Sequence, residues 1–467
     1  MNRFLLIFYY LIIFLFGKSA HAQTLDTLSQ QRIDKYWHYR QRFDNYFVQP
    51  GIGIGKSLVA HIRNKYQSSK EGFSVSDQTI DLGWYIGILA TEYKLLNDQN
   101  QNINTSLLHL YYALNAFDRM DYCESHSPYY LKKDTLDGYF LRYDVMLDLH
   151  PEQFSVNGLN QKLNPTDTWG SRPPGMPTYT SGFDVEDTSH HIMSAMSQDQ
   201  VVHLLMGFSL VDKCLPDTVL LFKDKHFHAI QFNFREDVRK KVDRLMSQFM
   251  KSPHWVVRDP YGNPVPRGPN AMMYAYPFAI IGTKLTGHSY EDYWSSSYLA
   301  RKLWDLSRVP NWVNDYNSTM ALALAAMSDS WWDYSLVGKV NNTASYIEKC
   351  GLPWERDVFF MLLYNFLHDH HSKPESISKA QIHIDSAPWN GPYYWAQDSV
   401  EFKCCGKVPG KPSGGWAYGN KYRGTKAEQE GLGKYPVTGN FSGMDFMLLY
   451  NLYHLLAQPL PYVKPRN

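Results

Sequence analysis

The sequence predicts an all-α protein, arranged as an (α/α) toroid of about six helical hairpins with a short β element and two long loops. Three observations indicate this class. The hexamer Phe-Met-Leu-Leu-Tyr-Asn occurs at residues 360–365 and again at 446–451, which indicates a repeated structural unit. About a dozen helical segments are joined mostly by short connections. Several segments are apolar on every side and alternate with charged ones, so buried helices should alternate with half-exposed helices. An elongated α-solenoid is the competing arrangement.

The first 22 residues have the pattern of a secretory signal peptide. Asn2-Arg3 is a short basic start, residues 4–17 form an apolar core, and Ala20-His21-Ala22 is a small-residue cleavage site. No later segment is long and apolar enough to span a bilayer. We therefore expect cleavage after Ala22, a single mature domain over residues 23–467, and a secreted or periplasmic location. The oligomeric state stays open.

The first half of the mature chain is predicted to contain four helices and the first long loop. The helices are Gln30 to Phe47, Asp81 to Leu96, Thr105 to Met120 and Ser197 to Cys214. The second and fourth are apolar nearly all round, and Gly87 and Gly207 would let neighbouring helices approach closely. The Pro-, Gly- and Asn-rich residues 149–188 predict the loop.

The second half is predicted to continue the helical series after a short β element. Residues 219–234 are predicted to contain a short strand pair, because residues 229–234 alternate between apolar and polar with period two. The predicted helices are Arg235 to Met250, Ala271 to Thr286, Glu291 to Leu306, Asp315 to Ser330, Thr343 to Cys350, Glu355 to His368 and Ser442 to Leu456. Ser372 to Thr438 is rich in Gly, Pro, Trp and Tyr, and it predicts the second long loop.

Charge and cysteine content disfavour several function classes. The chain has 46 Lys and Arg against 45 Asp and Glu, a net charge of +1, so no polyanion-binding surface is indicated and nucleic acid is not an expected partner. The five cysteines include no Cys-x-x-Cys pair, and the histidines form no HExxH motif. No metal site and no cofactor are therefore expected. The disulfide pairing, including that of the adjacent Cys404 and Cys405, stays open.

Aromatic residues make up 15% of the chain, with 34 Tyr and 13 Trp. These side chains either fill a bulky helical core or offer faces on which sugar rings stack. The helical layout resembles that of the secreted bacterial (α/α)-toroid carbohydrate-active proteins, a group that includes glycoside hydrolases and polysaccharide lyases. The resemblance covers most of the mature chain at the level of fold, and no motif specific to one family accompanies it. It implies a carbohydrate substrate.

The densest polar stretch, residues 184–200, supplies the candidate catalytic residues. Hydrolysis of a glycosidic bond needs two carboxyl groups, and Asp199, Asp187 and Glu186 offer them close together in sequence. His190 could act as a base. A competing interpretation applies to Asp199, because Ser197-x-x-Gln200 is a capping box and an acid in the first turn complements the helix dipole.

The second long loop supplies most of the candidate substrate-binding residues. Rigid aromatics stand beside basic residues there, a combination that suits an acidic sugar. The candidates are Trp395, Trp416, Tyr418, Tyr422 and Arg423, with Trp312 and Asp315 as further candidates from an earlier helix. Two alternatives to a glycoside hydrolase remain. A polysaccharide lyase would use Tyr or His as the base and Arg to neutralise a carboxylate, and a non-catalytic helical protein would only bind glycans.

Overall fold

The structure is a computed structural model, and it describes residues 27–49, 58–59, 62–66, 73–74, 78–123, 136–140, 196–251, 255–258, 264, 274–290, 320–321, 323–324, 354–369, 371–372, 374–387, 389 and 438–457. Within these residues the chain is mostly helical, as predicted. The described helices are α1 (Thr27–Tyr46), α2 (Gln78–Asp98), α3 (Asn104–Cys123), α4 (Gln198–Cys214), α5 (Phe234–Phe249), α6 (Ala275–Thr286), α7 (Trp354–Leu367), α8 (Pro374–Ser386) and α9 (Met444–Ala457).

The described strands form three small antiparallel sheets. They are β1 (Val48–Gln49), β2 (Leu58–Val59), β3 (Ile62–Tyr66), β4 (Phe73–Ser74), β5 (Leu220–Lys223), β6 (Ala229–Phe232) and β7 (Thr438–Phe441). β1 pairs with β2, β5 pairs with β6, and β3 lies between β4 and β7. The period-two pattern predicted β6 and its pairing partner. The β3–β7 pair was not predicted, because β7 is four residues long and its partner lies far away in sequence.

Two helices, α2 and α4, lie with their backbones almost in contact. A Cβ atom on Gly83 would lie 2.3 Å from the His203 carbonyl oxygen, and one on Gly207 would lie 2.4 Å from the Gly83 carbonyl oxygen. Four residues further on, Gly87 meets the Leu210 side chain. At these contacts the residue numbers rise together along both helices, so α2 and α4 run parallel. Glycine has no side chain beyond its hydrogen atom and therefore permits this close approach.

α9 packs on the other side of α2 in the same direction. A Cβ atom on Gly87 would lie 3.6 Å from the Leu448 side chain. Further along, the Asn451 side-chain amide donates to the carbonyl of Ile88 at 3.2 Å and to the Thr91 hydroxyl at 3.0 Å. α2, α4 and α9 are therefore three buried, mutually parallel helices, and their first turns lie at the same end of the core.

The more polar helix α1 runs antiparallel to α9. Tyr39 and Tyr36 of α1 meet Phe446 and Tyr450 of α9, with ring centroids 4.4 and 4.7 Å apart. As the α1 number falls, the α9 number rises, so the two helices are antiparallel. The sequence of α5 has the pattern of a half-buried helix, because its buried positions recur every three or four residues. Asn233 caps the start of α5 by accepting from the Glu236 backbone N–H at 3.1 Å.

Both copies of the repeated hexamer lie in buried helices, as the sequence indicates. Residues 360–365 belong to α7 and residues 446–451 to α9, and the two helices pack together. Their final asparagines have different partners. Asn365 donates to the Ser372 hydroxyl at 3.0 Å, whereas Asn451 bonds to α2. The repeated hexamer therefore predicts that both helices are buried. It does not predict their polar contacts, which differ between the two copies.

One predicted loop boundary is wrong. The stretch from Ser372 to Thr438 was predicted as loop throughout, but it begins with α8, Pro374–Ser386. The start of this helix follows ordinary helix chemistry, with Pro374 at its first position and Glu375 in the first turn. After α8, the described residues of the second long loop are Ala387, Trp389 and Thr438, the last of which begins β7; residues 149–188 lie outside the described residues.

Candidate functional site

A pocket of about 400 Å³ lies between α1, α2 and α3. α1 provides one wall, because its lining residues recur at helical spacing and so share one face of the helix. The α1 residues are Asp34, Trp37, His38, Arg40, Gln41, Asp44 and Asn45. The other lining residues are Glu92 and Leu96 of α2, with Asn102, Thr105 and Ser106 around the start of α3. Three secondary-structure elements that are separate in sequence thus meet at one concavity.

The floor of the pocket is a buried carboxylate, Glu92, which is 1% exposed. Its Oε2 atom accepts from the Tyr36 hydroxyl at 2.7 Å and from Arg40 Nε at 3.0 Å. Its Oε1 atom accepts from the Ser106 hydroxyl at 2.6 Å. Both carboxylate oxygens are hydrogen-bonded, as a buried charge requires. Glu92 therefore links all three helices that form the pocket.

Arg40 connects this floor to the pocket wall. Its guanidinium also bonds to Asp44 and lies 3.0 Å from His109 Nδ1. Burial disfavours the charge of Arg40, but the carboxylates of Asp44 and Glu92 outweigh burial and raise the pKa of Arg40 above its ordinary value. Because a guanidinium can only donate, His109 Nδ1 is the acceptor, and the imidazole proton lies on Nε2.

The pocket is acidic overall. Three carboxylates, those of Asp34, Asp44 and Glu92, line it together with one guanidinium, that of Arg40, so three negative charges against one positive leave a net charge of two negative. Amide and hydroxyl side chains, the rings of Trp37 and His38, and Leu96 complete the lining. Such a surface offers hydrogen bonds to hydroxyl groups and a stacking face, and its charge disfavours anionic ligands.

The start of the second long loop lies near this pocket. Trp389 is 46% exposed, and its ring centroid is 6.0 Å from that of His38, a pocket residue. The Lys35 ammonium lies 5.8 Å from the Trp389 ring and donates to the carbonyls of Ile384 and Ala387 at 3.2 and 2.8 Å. Lys35 thereby holds the end of α8 against α1. Trp389 lies six residues before Trp395, the first substrate-binding candidate of this loop.

Asp199 lies at the start of α4, where the sequence predicted a capping box. The Ser197 backbone N–H donates to the Gln200 side-chain oxygen at 2.9 Å, and the Ser197 hydroxyl bonds to the Asp199 carboxylate. The Gln200 half of the capping box is therefore present. The other ten predicted site residues lie outside the described residues: Glu186, Asp187, His190, Trp312, Asp315, Trp395, Trp416, Tyr418, Tyr422 and Arg423.

Two further acids begin helices at the same end as Asp199. Asp81, in the first turn of α2, is fully buried, and Asp445, in the first turn of α9, is 4% exposed. Since α2, α4 and α9 are parallel, these three carboxyl groups belong to one end of the core. Sequence reasoning treated Asp81 only as a helix-start acid, because nothing in the sequence shows that the three helices are neighbours.

Among the described residues, no group of three His, Cys, Asp or Glu side chains is arranged to hold a metal ion. None of the described helices combines the length and hydropathy needed to cross a membrane. Cys214 is a buried free thiol, and burial raises its pKa. Comparisons with protein-family models, curated proteins and solved structures found no match to this chain.

Proposed function

We propose that this protein is a carbohydrate-active enzyme that cleaves glycosidic bonds on an (α/α)-toroid scaffold. The observation that carries the proposal is the set of three parallel buried helices, α2, α4 and α9, with α1 packed antiparallel against α9. A toroid is built in this way, from inner helices that share one direction and outer helices that return. The parallel order also brings the helix-start acids Asp81, Asp199 and Asp445 to one end, which supports a carboxyl pair there.

Hydrolysis assigns two roles to such a pair. One carboxyl group protonates the leaving oxygen, and the other activates water or attacks the sugar directly. We propose Asp199 as one member, since it is the least buried of the three acids, and Asp81 or Asp445 as the other. Asp81 is fully buried and Asp445 is 4% exposed.

The decisive experiment tests whether Asp199 takes part in the cleavage of a glycosidic bond or only caps the start of α4. The purified protein is incubated with a panel of polysaccharides, and both reducing ends and absorbance of unsaturated ends are measured. A hydrolase yields reducing ends alone, whereas a lyase also yields the absorbing product. Asp199→Asn should lower the rate at least about 100-fold if it is catalytic. Ser197→Ala is the matched control, because it removes the Asp199 contact and keeps the carboxyl group. Equal activity of Asp199→Asn and wild type would contradict the assignment.

A second function, glycan binding without cleavage, is favoured by the pocket between α1, α2 and α3. Its Trp37 ring, amides and net negative charge suit a neutral sugar better than an acidic one. Binding of neutral and acidic oligosaccharides, measured by calorimetry on wild type and on Trp37→Ala, tests this pocket. Leu136→Ala is the control, since Leu136 is 43% exposed and does not line the pocket. Preference for acidic oligosaccharides at this pocket would refute the charge argument.

A further inference from the structure

The β5–β6 hairpin exposes apolar side chains in a group. Phe227 at its tip is 80% exposed, and Leu221 and Val219 on and beside β5 are 66% and 61% exposed. Alternation along β5 sends Phe222 into the core and Leu221 outward. Three exposed apolar side chains therefore lie on this one hairpin, at its tip, on the outward face of β5 and just before β5. Single exposed apolar residues are ordinary on protein surfaces, but three on one short hairpin are unusual.

The hairpin is held rigidly against the helical core. The Asn104 side chain bonds to both backbone groups of Lys223, donating to its carbonyl at 3.0 Å and accepting from its N–H at 2.7 Å. On the inner face, the Tyr111 ring contacts Phe222 and Phe232, with centroids 5.8 and 5.0 Å apart. Asn104 takes the place that another strand would occupy beside Lys223, so addition of a strand at that position is blocked.

Phe227 occupies a backbone conformation that disfavours it. Its φ angle is +65°, the left-handed region that glycine and asparagine tolerate and that bulky residues rarely adopt. The turn is closed by hydrogen bonds from the Phe227 N–H to the Asp224 carbonyl and from the Asp224 N–H to the His228 carbonyl, both at 3.0 Å. Phenylalanine here therefore costs stability through backbone strain, and its exposed ring gains little from burial to offset that cost.

The exposed ionisable residues next to Phe227 in sequence are all of the basic type. Lys223, Lys225, His226 and His228 are exposed, whereas Asp224 is partly buried. The Asp224 carboxylate accepts from the backbone N–H groups of His226 and His228, each at 2.8 Å. Its hydrogen-bonding capacity is used within the turn, and Lys223 and Lys225, the residues on either side of it in sequence, are exposed. This pattern complements a surface that is apolar inside and negatively charged outside.

We propose that the β5–β6 tip is a peripheral anchor that inserts Phe227 into the surface of an anionic lipid membrane. Lipid suits the geometry better than a protein partner, because three apolar side chains cover far less than the roughly 800 Å² per partner of a stable protein interface. Insertion of the ring buries apolar area, and Lys223 and Lys225 meet the headgroups. The anchor would hold the protein at the membrane surface through this hairpin.

Vesicle sedimentation tests the anchor. The full chain is mixed with vesicles of phosphatidylcholine alone or with about 30% phosphatidylglycerol, since attraction to lysine requires anionic lipid. Wild type should sediment mainly with the anionic vesicles, and added salt should release it. Phe227→Asn should lower the partition coefficient about tenfold or more, because the buried ring is lost. Lys225→Glu should weaken binding to anionic vesicles only.

Two controls separate anchoring from misfolding and from general stickiness. Asn tolerates a positive φ, so the thermal midpoint of Phe227→Asn should equal or exceed that of wild type. Ile382→Asn changes another exposed apolar residue, 51% exposed on α8, and should bind vesicles like wild type. Absence of wild-type binding to anionic vesicles would overturn the proposal, as would equal losses for Phe227→Asn and Ile382→Asn. A Phe227-dependent dimer without vesicle binding would also overturn it.

Discussion

Replacing Arg40 with methionine tests whether the buried pair under the pocket behaves as a low-dielectric ion pair. The Arg40 and Glu92 side chains are 3% and 2% exposed, and their Nε and Oε2 atoms are 3.0 Å apart. Arg40→Met keeps the apolar stem and leaves the Glu92 carboxylate without its cation. Removal of one partner from a buried pair costs about 3–5 kcal/mol.

The hydroxyl groups of Tyr36 and Ser106 still donate to Glu92 in this variant, at 2.7 and 2.6 Å in wild type. We therefore expect a loss near the lower value, about 3 kcal/mol. Glu92→Gln neutralises the other partner. In the double variant the uncompensated charge is gone, so a cycle of the two changes should give a coupling of about 2 kcal/mol.

The measurement is urea unfolding followed by far-ultraviolet circular dichroism and by tryptophan fluorescence, with coincident transitions required before free energies are compared. Lys94→Met is the control, because Lys94 pairs with Asp98 at 2.7 Å on an exposed part of α2. It should change stability by less than about 0.5 kcal/mol. A loss below about 1 kcal/mol for Arg40→Met would show that water screens the Arg40–Glu92 pair and would refute the reasoning.

Three further predictions concern stability. Gly83→Ala places a Cβ atom 2.3 Å from the His203 carbonyl oxygen, so the α2–α4 contact must open. Thermal denaturation should show that the free energy of unfolding falls by at least about 1–3 kcal/mol. Gly287→Asn is the control, since a Cβ atom at Gly287 meets nothing within 4 Å. Asn233→Ala removes the cap of α5 and should cost about 1 kcal/mol in urea unfolding, with unchanged helix content as the check. Burial raises the pKa of Asp121 from 3.8 to about 6. Because the pKa of Asp121 is higher in the folded than in the unfolded chain, protonated Asp121 stabilises the fold below about pH 4. This contribution to the free energy of unfolding is lost as the pH rises through about 6. Relative to Asp121→Asn, wild type should therefore lose about 3 kcal/mol between those pH values; a flat difference would contradict the burial argument.

The helices could be predicted because their residues carry local signals. Periodic or continuous apolar runs bounded by caps predicted α2, α4 and α9 to within a few residues of their ends. The error at α8 shows the limit of this reasoning. Composition alone suggested a loop after Ser372, whereas Pro374 and Glu375 are helix-start residues that outweighed the surrounding Gly- and Trp-rich sequence.

The candidate sites were less predictable than the helices. The sequence identified Asp199 as a candidate, but its position relative to Asp81 and Asp445 depends on three helices being parallel. The direction of a helix relative to its neighbours cannot be predicted from the sequence of that helix alone. The pocket floor was missed altogether. Glu92 lies inside an apolar helix, and its partners Arg40 and Ser106 come from different helices, so only their packing reveals a site.

Composition, periodicity and capping residues by themselves determined that this protein is mostly helical, that α2, α4 and α9 are buried, and that Ser197 and Gln200 begin a helix. These properties depend on contacts within one or two helical turns, which the local sequence encodes. Tertiary structure decided the close parallel packing at Gly83 and Gly207, the pairing of β3 with β7, and the charge cluster around Glu92. Those features join residues from distant parts of the chain, and their energies arise only when packing removes water from between them.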